Sequence, residues 1–396
     1  MNLLIIGSGA REHAFAWKIF NSKQNVNIFI TNSTPGTINI AKSISLDINN
    51  FSEIKRSIII NNIETVLVGP EIPLINGISD FIKNDKEIFH VNVIGPSKHG
   101  AKLEGSKEFA KLFMTRNNIP TANYKSFNKS SIDDAILFLK NNTPPYVLKA
   151  DGPAAGKGVI IVDNVNDAII NLKEMLIDSK FGSSSNKVVI EEFLTGIEMS
   201  CFVLFDGTNY KILPYAKDYK RIGEGDKGLN TGGMGSVSPV SFLDINLKGK
   251  IEKQIVIPTI NGLIKEKIDY VGFIFIGLIN VDGFPKVIEY NVRMGDPETQ
   301  VVLPRIENDF MEILNACCSQ SLDQIDLQFK SEYYTNVVVA SGGYPEKYDK
   351  GFEISGLENV KDSIIFHAGT ALIDNKIVTN GGRVLSIVSS DNDMNK

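Results

Sequence analysis

Three cysteines, four histidines and one tryptophan in 396 residues leave several chemistries without support. Cys201, Cys317 and Cys318 form no spaced framework, and an adjacent pair is poorly disposed for a bridge, so a reducing, cytoplasmic setting is expected. His13, His90, His99 and His367 are widely scattered, which argues against a zinc centre or a histidine-centred triad. No apolar run approaches the ~20 residues that span a bilayer, and the N-terminus opens directly as a strand, without a basic leader or small-residue cleavage site. Positive charge is not in excess either: 41 Lys and Arg stand against 46 Asp and Glu, for a net charge of −5. That balance argues against nucleic-acid and anionic-membrane partners, and leaves any anionic ligand to local Lys, Arg and backbone N–H groups.

What remains is an ordinary globular composition, 43% hydrophobic and 22% charged, long enough for two or three domains. Residues 2–6 form an apolar run that meets Gly7-Ser8-Gly9, and a helical pattern follows from about Arg11. Strand, glycine turn and helix N-terminus make an anion site. Dinucleotide binding is disfavoured, because Glu12 stands where the third glycine belongs and Thr31-Asn32 where a ribose-binding acid belongs. Further strands at 65–68 and 91–94 each end in Gly-Pro, so residues 1 to about 100 read as a doubly wound α/β domain. Gly69-Pro70-Glu71 then lies at the same carboxyl edge as the first loop.

From Lys102 a helical pattern runs to about Asn117, and Ile119-Pro120 ends it. The strand at 146–150 leads into DGPAAGKGV, in which Gly152, Gly156 and Gly158 with Lys157 make a backbone-rich basic loop suited to covering phosphates. Its spacing is not that of a Walker loop, and read alone it is equally a hairpin connection. Lys149, closing an apolar strand, wants an anionic partner. KVVIEEFLTGIEMS reads as a strand edge able to bond a planar heterocycle, with a carboxylate for ribose hydroxyls. Residues 217–235, charged and glycine-rich, read as a flexible loop of the kind found over active sites.

The stretch EYNVRMGDPETQ, residues 289–300, follows an apolar run at 272–281, a turn at Asp282-Gly283 and a second run at 285–288, together a β-hairpin. Glu289 and Asn291 fall on one face of a strand end and offer the two oxygens that Mg²⁺ takes from a protein leaving its other positions to water and phosphate. Arg293 puts a permanent positive charge beside them. From Tyr334 the pattern is strand-rich, at 336–340, 364–367, 371–373 and 383–388.

In their number and order these stretches resemble the phosphoribosylamine-glycine ligases of the ATP-grasp superfamily. The segments are LLIIGSGAREHAFAWK, VLVGPEIPLINGISD, LEGSKEFAK, VLKADGPAAGKGVIIV, VVIEEFLTGIEMS, NTGGMGSVSP, VIEYNVRMGDPETQ, ASGGYP and VTNGGRVL. The resemblance implies ligation of glycine to 5-phosphoribosylamine, with ATP cleaved through a glycyl phosphate. It implies Mg²⁺ or Mn²⁺ at Glu289 and Asn291, and Arg293 on the transferring phosphoryl group. Lys107 and Lys149 resemble the ATP phosphate lysines, Gly152 to Gly158 with Lys157 the lid, Glu191, Glu192, Phe193 and Leu194 the adenine hinge, and Glu198 the ribose ligand. Gly9, Arg11, Glu12 and His13, with Gly69, Pro70 and Glu71, would serve the phosphoribosyl substrate. Asp218, Gly232, Gly233, Gly235 and Asp296 would face glycine and amine, with Asp296 as acceptor of the amine proton.

The implied architecture is α/β: a doubly wound parallel-sheet domain at 1–103, an ATP-grasp α+β domain at 104–325 with a mobile lid at about 121–188, and a small mainly β domain at 326–396, in a monomer or dimer. Departures from the pattern are Ala10 for glycine, Pro153 for leucine, Tyr219 for histidine, and an end shorter than is usual. A sister ATP-grasp enzyme activating bicarbonate or formate, and a nucleotide-binding protein without catalysis, are the competing readings.

Overall fold

The computed structural model describes residues 1–154, 157–225 and 227–393. Its first unit is a parallel sheet of β1 (Asn2–Ile6), β2 (Asn27–Thr31), β3 (Lys42–Ile44), β4 (Thr65–Val68) and β5 (Asn92–Ile94), in the order β3-β2-β1-β4-β5. The direction of winding reverses between β1 and β4, the place where such sheets open a crevice at their carboxyl edge. Gly7-Ser8-Gly9 follows β1 there, and Gly69-Pro70-Glu71 follows β4. β1 and β4 are buried almost throughout, as a sheet covered on both faces requires.

The second unit is a four-stranded antiparallel sheet of β6 (Tyr124–Asn128), β7 (Tyr146–Ala150), β8 (Val159–Val162) and β9 (Lys187–Glu192), ordered β6-β9-β7-β8. Helices Ile132–Lys140 and Val165–Leu176 cover it, and Leu139, Leu148, Leu172 and Ile190 share a core with them that is separate from the other two apolar clusters. A subdomain with its own core can move as a body.

β10 (Ile197–Phe205), β11 (Tyr210–Ile212), β12 (Lys217–Gly223), β13 (Lys227–Ser238), β14 (Gly272–Val281) and β15 (Phe284–Asn291) come next, but they divide between two sheets. β11-β10-β14-β15 is the floor facing the four-stranded sheet. β14 and β15 form the hairpin read from the sequence, with Asp282 (φ 49°) and Gly283 (φ 83°) in the left-handed turn that suits paired strands.

β12 and β13 instead join β16 (Tyr333–Ala340), β17 (Ile364–His367) and β20 (Arg383–Asp391) in the order β12-β13-β16-β20-β17, while β18 (Thr370–Ile373) and β19 (Lys376–Thr379) pair with each other. The expectation of a loop over 217–235 is therefore corrected to a hairpin. Its glycines permit close approach: a Cβ on Gly235 would lie 2.8 Å from the Asn336 carbonyl oxygen, and one on Gly233 2.3 Å from Pro297 Cδ. Glycine content usually signals a loop, and here it serves packing.

The last sheet docks on the helix Ala10–Phe20, where the His367 N–H donates to His13 Nδ1 at 2.9 Å and Phe366 meets the His13 ring edge-on. Among the described residues no helix is long and apolar enough to cross a membrane.

Candidate active site

Local structure delivers the charged groups to one cleft of about 280 Å³ between the four-stranded sheet and the floor. Helix Lys107–Arg116, capped by Ser106 through the Phe109 N–H, carries Lys107 and Lys111 one turn apart on the face toward the cleft. β7 brings Lys149 and β9 brings Glu191. In β15 the pairing slips by one residue, so that Glu289 lies opposite Gly277 while Val287 lies opposite Leu278. This bulge re-aims the strand end. Glu289 and Asn291 both line the cleft, with Arg293 beyond them.

The electrostatics of the cleft are strongly coupled. Burial alone would raise the Glu289 carboxyl, but Lys220, Lys149, Lys107 and Arg293 outweigh it and hold the group below its ordinary value. Arg293 donates from Nη2 to Glu104 Oε1 at 2.7 Å and to Asn291 Oδ1 at 3.1 Å, and its Nε lies 3.6 Å from Glu71 Oε2. That Nε–H is buried without a hydrogen-bond partner among the described residues. Lys220 Nζ lies 3.5 Å from Glu198 and 3.6 Å from Asp218. Burial, reinforced by Asp218, pushes Glu298 up to about 7, although Ser200 donates to its Oε1 at 3.1 Å.

A second cleft, near 770 Å³, opens between the first sheet's loops and the last sheet. Gly9, Tyr344 and Arg383 line it, and Asp296 lines both clefts. Arg383 Nη1 donates to the carbonyls of Gly232 (2.7 Å) and Asp296 (2.8 Å), and Nη2 lies 3.3 Å from the Asp296 carboxylate. The Gly232 N–H donates to the Tyr344 hydroxyl at 3.0 Å. Burial would raise Asp296, but Arg383 and Arg11 bring it below the usual carboxylate range.

Of the residues singled out in the sequence, Glu71, Lys107, Lys149, Gly158, Glu191, Asp218, Gly232, Glu289, Asn291, Arg293 and Asp296 line the first cleft. Gly156 lies outside the described residues. Gly152, Lys157, Glu192, Phe193, Leu194, Gly233 and Gly235 line neither cleft, and Glu198 reaches the first only through its ion pair with Lys220.

Arg11, Glu12 and His13 turn inward. Arg11 pairs with Glu12 at 2.7 Å, and a Cβ on Gly69 would meet Glu12 Oε1 at 2.0 Å, so that glycine makes room for a buried acid. His13 is buried, which with the neighbouring His367 drops its pKa to about 3, and it holds the last sheet in place.

Glu191 is a charge hub, with both Lys149 and Lys111 at 3.0 Å from its Oε2.

Comparison with known proteins covers nearly the whole chain. Models for the phosphoribosylglycinamide synthetase N domain, ATP-grasp (A) domain and C domain match residues 1–104, 105–299 and 334–396. The chain belongs to the phosphoribosylglycinamide synthetase family. It is 41% identical to the phosphoribosylamine–glycine ligase of Pasteurella multocida over 98% of this chain and 90% of that protein. It is 43% identical to a bifunctional purine biosynthetic protein of Pichia angusta, and spans 49% of that longer relative. The crystal structure of the phosphoribosylamine–glycine ligase of Thermotoga maritima superposes with a TM-score of 0.86 at 34% identity, covering 100% of this chain and 94% of that one. The biotin carboxylase domain of the Hydrogenobacter thermophilus 2-oxoglutarate carboxylase, solved with MgADP, shares the fold at a TM-score of 0.72 and 16% identity, over 98% of this chain and 86% of that one.

Five charged cleft residues of this family member escaped the sequence reading: Glu104, Lys111, Lys220, Glu298 and Arg383. Each had a signal. Lys111 is four residues after Lys107 on a helix and Lys220 two after Asp218 on a strand, while Glu104, Glu298 and Arg383 sit inside segments already marked for their pattern.

Proposed function

We propose that the chain joins the carboxylate of glycine to the amine of 5-phosphoribosylamine, with ATP cleaved to ADP and phosphate by way of glycyl phosphate. The observation that carries this reading is the set of four cations, Lys107, Lys149, Lys220 and Arg293, around Glu289 and Asn291, in a cleft that shares Asp296 with a second, larger one.

Phosphoryl transfer asks little covalent help of a protein and much positioning and charge stabilisation. Lys107 and Lys149 hold the nucleotide's phosphates, and Arg293, fixed by Glu104 and Glu71, steadies the γ-phosphoryl group as a glycine carboxylate oxygen attacks it. Glu289 and Asn291 fit a hard cation: one is held as a carboxylate by its neighbours and the other supplies an amide oxygen, a donor set that is completed by phosphate and water. Mg²⁺ or Mn²⁺ bound there would neutralise charge on the phosphate oxygens.

Ala110, Met114, Val159 and Ile288 give the same cleft an apolar end for the base. The phosphoribosyl part occupies the second cleft beside Gly9, with its amine directed past Asp296. In the second half-reaction the amine nitrogen bonds to the acyl carbon, the bond from that carbon to the phosphate oxygen breaks, and phosphate leaves with the electron pair.

The nitrogen's proton passes to Glu298, which Asp218 faces. Glu298, at about 7, is better matched to that task than Asp296, which Arg383 keeps acidic. ADP release that requires glycine and the amine together, and is not supported by bicarbonate or formate, is the expected result. Release with bicarbonate in place of glycine would overturn the substrate assignment.

A further inference from the structure

Lys111 is 2% exposed, in the wall of the cleft. Its Nζ donates to Thr121 Oγ1 at 2.8 Å, faces the Tyr124 ring at 5.5 Å, and lies 3.0 Å from Glu191 Oε2. Thr121 passes the contact on, donating to the Val287 carbonyl at 2.7 Å. Burying an ammonium is costly, and here burial pulls its pKa down to about 8 even with Glu191 beside it. Charge balance does not require it, because Lys149 already sits 3.0 Å from the same carboxylate oxygen.

Two lysines on Oε2 have a geometric consequence instead. Among the described residues Glu191 Oε1 is left buried with no hydrogen-bond partner, in a residue that lines the cleft. A carboxylate oxygen can only accept, so the partner it lacks is an N–H or O–H.

We propose that Lys111 is a positioning residue for base selection: by sharing Glu191 Oε2 with Lys149 it reserves Oε1 for an N–H donor on the bound heterocycle. This rests on the reading of the cleft as a nucleotide site. A purine with an exocyclic amine at position 6 satisfies the oxygen, whereas one with a carbonyl there sets acceptor against acceptor. Lys107, one turn earlier on the helix, faces Glu289 and the phosphate end, and Lys111 faces the base end.

The test compares ATP, GTP and purine riboside triphosphate, which lacks the 6-amine, binding by calorimetry to the full chain and to Lys111→Met. Because binding is read directly, ligase turnover is not needed. The wild type should bind ATP about tenfold or more tightly than either analogue, the value of a hydrogen bond to a charged group. Lys111→Met should lose most of that preference, with the three nucleotides within about threefold of one another, because Glu191, held on Oε2 by Lys149 alone, can turn Oε1 away from the base. Lys111→Gln, which keeps an N–H donor, covers the case of a poorly folded Met variant and should retain an intermediate preference.

An unchanged ATP preference in folded Lys111→Met or Lys111→Gln would overturn the proposal while leaving the nucleotide site standing. Failure of the wild type to bind ATP at all would remove the nucleotide reading and this inference with it. A drop in affinity equal for all three nucleotides would show that Lys111 is merely structural.

Discussion

Glu298 shows how a single side chain links burial to chemistry. It is 3% exposed, and its pKa rises from 4.5 to about 7 through burial and the facing Asp218. The folded state therefore favours the protonated form. It carries no penalty below pH 4.5, and loses stability as pH rises through the interval up to about 7, beyond which the loss is constant. Glu298→Gln removes that dependence. We expect its melting temperature to exceed the wild type's at pH 8, by the equivalent of roughly 1–3 kcal/mol, to converge on it near pH 4.5, and its turnover to fall at least tenfold. Equal pH profiles for the two proteins would show that Glu298 does not titrate in this range.

At this scale the sequence brought Glu289, Asn291 and Arg293 to one cleft, because they sit close together at and just beyond one strand end. Lys111 and Arg383 were hidden for different reasons. Lys111 looks like a surface lysine on an amphipathic helix until the four-stranded sheet brings Glu191 to it, and Arg383 acts on Asp296 and Gly232 across long stretches of chain that only the fold brings together.

Among the elements, the β14–β15 hairpin and the parallel strands were legible from apolar runs and turn residues, since both depend on short-range pattern. The β12–β13 hairpin was not. Its strands are charged and glycine-rich, and their pairing with β16 is decided by partners about a hundred residues away. β19 was missed although β17 and β18 are equally four residues long, because only Ile377 and Val378 of its residues are apolar.

Gly233 tests the hairpin's role. Its φ of 111° is one that side chains resist, and an added Cβ would meet Pro297 Cδ at 2.3 Å. Gly233→Ala should cost about 1–3 kcal/mol in urea unfolding and reduce kcat, because Pro297 follows Asp296 and Gly232 holds Arg383. Gly225→Asn, in the same hairpin with no described residue within 4 Å of its added Cβ and a φ of 67° that asparagine tolerates, is the control and should remain near wild type. Equal behaviour of the two variants would mean that the close approach at Pro297 is not what fixes the strand.

On the scale of the whole molecule, three sheets converge on Asp296. The parallel sheet contributes Glu71 and the loop at Gly9, the floor contributes Glu289, Asn291 and Arg293, and the last sheet contributes Arg383 and Tyr344. The four-stranded sheet, with its separate core, supplies Lys149 and Glu191. Because Asp296 lines both clefts, the proposed reaction would form an acyl phosphate in the first and meet the amine at the boundary with the second.

The most direct measurement follows the oxygen. With glycine labelled with ¹⁸O in its carboxylate, ATP, Mg²⁺ and freshly prepared 5-phosphoribosylamine, the account requires one labelled oxygen per turnover to appear in inorganic phosphate, because the attacking carboxylate oxygen leaves with the phosphoryl group. Unlabelled phosphate accompanying ADP and amide formation would contradict activation through glycyl phosphate.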